Sequence, residues 1–190
     1  MDDTFLVVGL GNPGETYLFT RHNVGMASVE LFAQTFNVTL KSDRMSKSSI
    51  GRFKIDGKSI IAALPLTFMN DSGLAVKKLV KQSGIESLGN LIVVHDEMDL
   101  APGRIKIKRG GGTAGHNGLE SICDHLGSND FVRIRIGIGK PPSADQGANY
   151  VLRRLKGSDK TLLIESQLEA VKVIESIIRS GFESTLDQVR

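Results

Sequence analysis

The sequence predicts an α/β fold: a single domain over residues 1–190 with a twisted, mixed but mostly parallel sheet and helices on both faces. Three apolar runs of strand length, at 5–8, 60–64 and 91–94, each end in a polar segment. Helical apolar stripes alternate with these runs, which is the pattern of parallel strands joined by crossover helices. A hairpin pattern over 50–64 adds antiparallel pairing, so the predicted sheet is mixed.

The elements of the first half follow from apolar spacing and from turn chemistry. In order they are a strand at 5–8, a helix at 24–36, a polar loop at 41–49 and hairpin strands at 50–55 and 58–64. Asp56-Gly57 suits the left-handed two-residue turn of such a hairpin. The next helix begins after Asn70-Asp71-Ser72, which supply N-cap chemistry, and it ends near Gly84.

The elements of the second half continue the alternation. They are a strand at 91–94, a period-two strand at 104–108, a helix at 116–126, a period-two strand at 131–138, a loop at 139–147 and a long final helix. Ser158-Asp159 are expected to cap that helix, and Gly181 is expected to end it.

Composition limits the classes of protein that fit this chain. Its net charge of +3 and pI of about 9.0 permit an acidic partner without requiring one. Cys123 is the single cysteine, which rules out a disulfide framework and a cysteine-rich zinc site, and it is expected to be a buried thiol. The residues at 1–4 lack the basic start of a signal peptide, and no run reaches the roughly 18 apolar residues of a membrane span. We therefore expect a cytoplasmic protein with no membrane partner.

Two familiar motifs are present only in part. Residues 9–14 satisfy the dinucleotide pattern G-x-G-x-x-G after a strand, but Asn12-Pro13-Gly14 is turn chemistry, and Glu30 falls inside a helix. His95 and Glu97 match half of the zinc-deaminase signature, whose P-C-x-x-C partner is missing. A nucleotide-dependent oxidoreductase therefore stays only as an alternative.

A histidine and an aspartate suggest hydrolysis without a metal or a serine nucleophile. His22 lies beside the first polar loop, and imidazole has a pKa suited to taking a proton from water. Asp96, at a strand exit, could orient the ring as the third member of a triad does. The exits of parallel strands share one edge of the sheet, where Asn12 and Asn70 would join Asp96 in one pocket.

Less specific interpretations of the same residues stay open. Asn117, near a helix N-terminus, is a further candidate for binding a peptide amide or an oxyanion. A single histidine is nevertheless often structural, and asparagine beside glycine is often a turn former. Asp96 could equally cap the turn that follows it.

Two predicted strands carry basic residues on one face. Arg104, Lys106 and Lys108 alternate with isoleucines, and Arg133 and Arg135 repeat the pattern. Such a pattern is typical of a solvated sheet face. Because the glycines at 110–112 adjoin the first strand, the two rows could also follow a phosphate backbone.

Four separate motifs together resemble the bacterial-type peptidyl-tRNA hydrolase family. They are residues 9–14 with Tyr17 and 20–23, residues 65–70, residues 95–99 and residues 115–119, with weaker additions at 137–139 and 150–152. The resemblance extends from residue 5 to about residue 180. It implies a monomeric single domain, no metal, no cofactor, and cleavage of the ester that joins a peptide to the 3′-ribose of tRNA.

The resemblance also implies roles for individual residues. His22 would be the catalytic base and Asp96 its partner. Three asparagines would hold substrate and water, namely Asn12, Asn70 and Asn117. Met69 and Tyr17 would line the site. Lys108 and Arg133 would bind the 5′-phosphate of tRNA. Glu120 departs from the basic residue expected after Gly118-Leu119, which weakens a role of this helix in tRNA docking. Some relatives of the family are RNA-binding splicing factors, and a turnover assay separates the two functions.

Overall fold

A computed structural model describes residues 3–189, and its centre is a seven-stranded sheet. The strands are β1 (Thr4–Gly9), β2 (Lys41–Asp43), β3 (Ser48–Ile55), β4 (Lys58–Pro65), β5 (Leu91–Glu97), β6 (Ile105–Arg109) and β7 (Val132–Gly137). Their order is β2-β3-β4-β1-β5-β7-β6, and β4, β1, β5 and β7 pair in parallel. The pairings of β2 with β3, β3 with β4 and β6 with β7 are antiparallel. The predicted fold class is confirmed.

Helices cover both faces of this sheet. They are α1 (Val24–Thr35), α2 (Ser72–Ser83), α3 (Asn117–Leu126), α4 (Gly147–Leu152), α5 (Gly157–Ser180) and α6 (Phe182–Gln188). Successive strand residues point to opposite faces, so Val7 packs with α1 and α5, whereas Leu6 and Val8 pack with α2 and α3. Two apolar clusters therefore form, one on each face. Within residues 3–189, no helix has the length and apolar character that crossing a membrane requires.

The carboxyl ends of three neighbouring strands meet at one edge. β1 pairs in parallel with both β4 and β5, and Val8 is in register with Ala63 on one side and Val93 on the other. The polar segments that follow these strands therefore emerge together, as expected from the sequence. This edge holds the candidate site.

Several local predictions differ from the structure. The predicted loop at 41–49 contains β2 and the start of β3, which the sequence hides because this edge hairpin carries polar side chains. The expected cap at Ser158-Asp159 is wrong, since α5 begins at Gly157 with no side-chain cap. α4 and α6 were not predicted. Met1 and Asp2, which entered the argument against a signal peptide, lie outside the described residues.

Other local predictions are confirmed. Asp56 and Gly57 have φ values of 50° and 80°, as a left-handed two-residue turn requires. Gly84 ends α2 in the left-handed conformation, and α5 ends at Gly181. The prediction of a buried Cys123 is not confirmed, since the residue is only partly buried beside the core, where desolvation raises the pKa of its thiol.

Candidate active site

An open cleft of ≈ 240 Å³ lies at the carboxyl edge of the sheet. Four segments line it: the 3₁₀ turn Arg21–Asn23, the end of β5 with the turn after it, the segment that enters α3, and α4. The sheet order explains this arrangement, because β5 is a central parallel strand and ends at the floor of the cleft. The cleft lining includes His22, Asp96 and Asn117 from the residues that the sequence singles out.

Asp96 binds the ring of His22. The Nδ1 atom of His22 lies 3.0 Å from Oδ1 and 2.9 Å from Oδ2 of Asp96, whose side chain is buried. An ionised carboxylate only accepts hydrogen bonds, so Nδ1 carries the proton and Nε2 of His22 keeps its lone pair. Within residues 3–189, Nε2 has no hydrogen-bond partner, and the residue lines the cleft. The hydrogen bond to Asp96 thus fixes the orientation of the ring.

Asp96 accepts from a second histidine as well. Nε2 of His116 lies 2.9 Å from Oδ1 of Asp96. The other nitrogen of His116, Nδ1, accepts from the backbone N–H groups of Gly118 and Leu119 at 3.1 and 3.3 Å and caps the N-terminus of α3. The start of α3 therefore fixes which nitrogen of His116 carries its proton.

Sequence reasoning assigned no role to His116, although it belongs to the motif at 115–119. One signal was available, because the residue is the first of the helix predicted at 116–126 and could be its N-cap. The turn after β5 bears on the alternative role of Asp96 as a cap. The turn after β5 is capped by Glu97, whose Oε1 accepts from the N–H of Asp99 at 3.1 Å. Asp96 is therefore free to serve the two histidines.

The two histidines keep Asp96 ionised. Burial alone raises the pKa of this carboxyl, but the charge and hydrogen bonds of His116 and His22 outweigh it and hold the pKa well below its usual range. The neighbouring His95 behaves in the opposite sense. Burial is the main reason that its pKa falls to about 3, and the proximity of His116 lowers it further. His95 is therefore neutral at physiological pH.

His22, Asp96 and His116 also form the kind of cluster that could hold a metal ion. Their ligand atoms all lie within 4.8 Å of one another. A metal on Nε2 of His116 would require the proton on Nδ1, which accepts two backbone N–H groups, so the cap of α3 would be lost. Binding through Nδ1 of His22 would likewise displace the proton donated to Asp96. This donor set fits proton transfer better than metal binding.

Asparagines join the loop after β1 to the neighbouring segments. Asn23 accepts from the N–H of Asn12 and donates to its carbonyl, both at 2.8 Å. The Oδ1 atom of Asn12 accepts from the N–H of Met69 at 2.8 Å, which links the exits of β1 and β4. A Cβ on Gly118 would lie 2.5 Å from Sδ of Met69, so the Met69 side chain lies directly against the start of α3. Asn23 is a second contributor that sequence reasoning left without a role.

The remaining residues predicted to bind substrate are Asn70, Tyr17 and Asn117. Asn70 is exposed on the 3₁₀ turn Met69–Asp71 and does not line the cleft described above. The ring of Tyr17 meets Phe68 edge to face, with centroids 6.5 Å apart, and Phe68 is itself exposed. Asn117 is exposed in the cleft at the first residue of α3. The structure thus brings together Asn12 and Met69, and separately Asn117 with the histidines.

The basic side chains of β6 and β7 lie beside one another on neighbouring strands, and we call this group the basic ladder. Lys108 pairs across the strands with Arg133, and Lys106 with Arg135. Lys108 is exposed, whereas Arg133 is only 4% exposed and donates from Nη1 to the Gly112 carbonyl at 2.7 Å and from Nη2 to the Gly110 carbonyl. Arg133 thus holds the glycine loop beside the cleft.

One glycine of this loop lies directly against the cations. A Cβ on Gly111 would come within 2.5 Å of Nζ of Lys108 and 3.0 Å of Nη2 of Arg133, and its φ of 86° favours glycine. The loop at 110–112 therefore covers part of the ladder. Arg135 instead pairs with Glu97 at 3.3 Å.

Comparisons with known proteins identify the family of this chain. A family model described as peptidyl-tRNA hydrolase matches residues 6–190. The chain is 41% identical over 183 residues to the peptidyl-tRNA hydrolase of Syntrophotalea carbinolica, with 96% of this chain and 95% of that protein covered. It is 40% identical over 189 residues to that of Mycobacterium avium, covering 100% and 98%. The crystal structure of peptidyl-tRNA hydrolase from Acinetobacter baumannii superposes with a TM-score of 0.92 at 36% identity, covering 100% of this chain and 95% of that one. The chain belongs to the peptidyl-tRNA hydrolase family.

Proposed function

We propose that the chain hydrolyses the ester between a peptide and the 3′-ribose of tRNA, so that tRNA is recycled from prematurely released peptidyl-tRNA. Family membership supports the substrate. The observation that carries the chemistry is the hydrogen bond from Nδ1 of His22 to the buried Asp96, which leaves Nε2 as a base at the cleft. Water is the nucleophile, and no covalent intermediate forms.

The proposed reaction needs only the groups already described. Nε2 of His22 takes a proton from water as the oxygen attacks the ester carbonyl, and Asp96 stabilises the imidazolium that results. When the tetrahedral intermediate breaks down, the imidazolium returns its proton to the departing ribose oxygen. Within residues 3–189, the only hydrogen-bond partner of the His22 ring is Asp96, so no serine or cysteine is poised to act in place of water.

The remaining site residues are assigned to substrate binding. Asn117 offers amide donors at the N-terminus of α3, where the helix dipole also favours a developing oxyanion. Asn12 and Asn70 would hold the ester and water. Met69 and Tyr17 would line the path of the peptide or the 3′ end of tRNA.

The tRNA body is assigned to the basic ladder. Lys108 and Arg133 would bind the 5′-phosphate, and the modest positive charge of the chain favours an anionic partner. We further propose that the enzyme acts as a cytoplasmic monomer of one domain and needs no metal or cofactor. The exposed Glu120 leaves the start of α3 without an additional cation for tRNA.

The test is release of N-blocked amino acid from charged tRNA by the purified protein in the presence of a chelator. We expect turnover by the parent and none by His22→Ala, because the base would be lost while the tRNA-binding ladder remains. Binding of tRNA, measured by filter retention, should be the same for both proteins.

Three results would contradict the proposal. A folded His22→Ala variant that retains more than about a tenth of the parent rate would remove His22 as the base, since general base catalysis contributes about 10²–10⁴-fold. Chelator inhibition that zinc reverses would indicate a metal mechanism. Binding of RNA with no turnover by the parent would favour an RNA-binding factor.

A further inference from the structure

The short helix α4 forms one wall of the cleft. Gly147, Ala148 and Val151 line the cleft together with the segment that enters α3. α4 has six residues, of which only Val151 is buried. Helices this short are unstable alone in water, so contacts with the rest of the protein must hold α4 in place.

Tyr150 supplies those contacts from two directions. The guanidinium of Arg21 lies over the Tyr150 ring, with Cζ 3.9 Å from the centroid. Nη1 of Arg21 also donates to the Tyr150 carbonyl at 3.3 Å. On the other side, the Tyr150 hydroxyl donates to the carbonyl of Ile138 at 2.6 Å, just after β7. Tyr150 therefore bridges Arg21 and the end of the sheet.

The surroundings of Arg21 are unusual for a charged residue. Arg21 is 9% exposed, and it forms no ion pair with a carboxylate within residues 3–189. Burial of an unpaired cation is costly unless other groups compensate. The Tyr150 ring and carbonyl provide that compensation, because a cation–π contact strengthens when the cation is removed from water. Loss of the Tyr150 ring would therefore leave the guanidinium with only the backbone carbonyl of residue 150 as a partner.

Arg21 directly precedes His22 within one 3₁₀ turn. The chain just before this turn is fixed by the segment after α4, since the N–H of Leu155 donates to the Phe19 carbonyl at 2.9 Å. Thr20 and Arg154 form an isolated β-bridge beside it. α4, through Tyr150, and the segment directly after it, through Arg154 and Leu155, thus attach to residues 19–21, and the position of α4 is coupled to that of His22.

We infer that Arg21 and Tyr150 are positioning residues that couple the docking of α4 to the placement of His22. This inference rests on the proposed function for its kinetic consequence, but the coupling itself is structural. Docked α4 completes the cleft wall and holds the turn that carries the base. Released α4 would open the cleft and let that turn shift.

The experiment compares Tyr150→Leu, Tyr150→Phe and Arg21→Lys with the parent. Arg21→Lys keeps the charge but loses the planar stack and the fork of donors. Tyr150→Phe keeps the ring under Arg21 and loses only the hydroxyl bond to Ile138. Arg153→Ala is the control, because it changes an exposed residue at the end of the same helix.

Two readouts are measured on each protein: amide hydrogen exchange over 147–152, and kcat and KM on a blocked aminoacyl ester that lacks the tRNA body. Tyr150→Leu and Arg21→Lys should exchange at least about tenfold faster in α4. Their kcat should fall by about tenfold or more, since misplacement of a catalytic group by 1 Å costs up to about 10²-fold. KM should change little. Tyr150→Phe should show a smaller effect in the same direction, and Arg153→Ala should match the parent.

The double variant Arg21→Lys/Tyr150→Leu decides whether the two residues act together. Coupled residues should give a loss no larger than that of the worse single variant. Additive losses, or parent-like exchange in Tyr150→Leu, would overturn the inference. If the circular dichroism spectrum of Tyr150→Leu shows that this variant does not fold, the same measurements on Tyr150→Phe and Arg21→Lys test the inference. If the parent does not turn over, the proposed function fails, and exchange in α4 alone decides the coupling.

Discussion

Asp96 is the residue on which the chemistry of the cleft depends. Its buried carboxylate accepts from His22 and from His116, and these charge-assisted contacts offset the cost of removing it from water. His116 is itself fixed by two N–H groups of α3. The orientation of His22, the proposed base, is therefore determined through Asp96 and His116 by the position of α3.

Replacement of Asp96 by asparagine tests this arrangement directly. Asparagine keeps the shape but removes the negative charge that stabilises the imidazolium of His22. We expect Asp96→Asn to lower kcat and kcat/KM together by about 10²–10⁴-fold, with little change in KM, because the interaction is gained only in the transition state. Steady-state kinetics on N-blocked aminoacyl-tRNA provides the measurement.

The matched control for Asp96→Asn is Asp56→Asn, an exposed carboxylate in the turn between β3 and β4 that does not line the cleft. It removes the same charge without touching a histidine, and its kinetics should resemble those of the parent. A large rise in KM for Asp96→Asn with unchanged kcat would instead assign Asp96 to substrate binding.

The sequence predicts individual site residues to the extent that strand ends determine them. Asp96 was predicted because the exit of a buried strand is visible as an apolar run, and His22 because it lies beside the first such exit. His116 was not predicted as a partner of Asp96. Its role depends on a ring nitrogen that caps α3, and this orientation arises only when α3 packs beside β5.

At the scale of elements, prediction succeeds where apolar periodicity and turn residues agree. The hairpin of β3 and β4 combines alternating apolar residues with Asp56-Gly57, and it was predicted with nearly its observed bounds. β2 is polar and has only three residues, so it lacks a periodic signal. α4 owes its place to Arg21 and Tyr150, a tertiary contact across 129 positions that no local pattern can report.

The ladder on β6 and β7 leads to a prediction about tRNA docking. Lys108→Ala should raise KM for charged tRNA and make the log–log salt slope shallower by roughly one, as expected for the loss of one phosphate contact. Kinetics at several salt concentrations provide the measurement. Cleavage of a small blocked aminoacyl ester should be unchanged, because Lys108 lies outside the reacting groups.

Arg133→Ala should show the same salt effect and a second effect that Lys108→Ala lacks. Because Arg133 also holds the carbonyls of Gly110 and Gly112, its loss should speed amide exchange in the loop at 110–112. Equal losses on tRNA and on the small ester for both variants would move these residues out of the docking role.

At the scale of the whole molecule, the site depends on β5 being central in the sheet. β5 has all seven residues buried and pairs with β1 and β7, so its end is held firmly where the cleft forms. The same burial extends to His95, which precedes Asp96 and donates from Nδ1 to the Asp96 carbonyl at 2.8 Å. A titratable group in the centre of the sheet makes the stability of the fold depend on pH.

The burial of His95 predicts the sign of that dependence. Its pKa is about 3 in the folded protein against 6.5 when unfolded, so between these values only the unfolded chain binds the proton. Stability is therefore lost as pH falls below about 6.5. Between pH 7 and pH 5, the free energy of unfolding of the parent should fall by about 2 kcal/mol more than that of His95→Asn, as measured by urea unfolding. The other histidines are common to both proteins, so the comparison isolates His95. Equal losses would mean that His95 already binds its proton in the folded state.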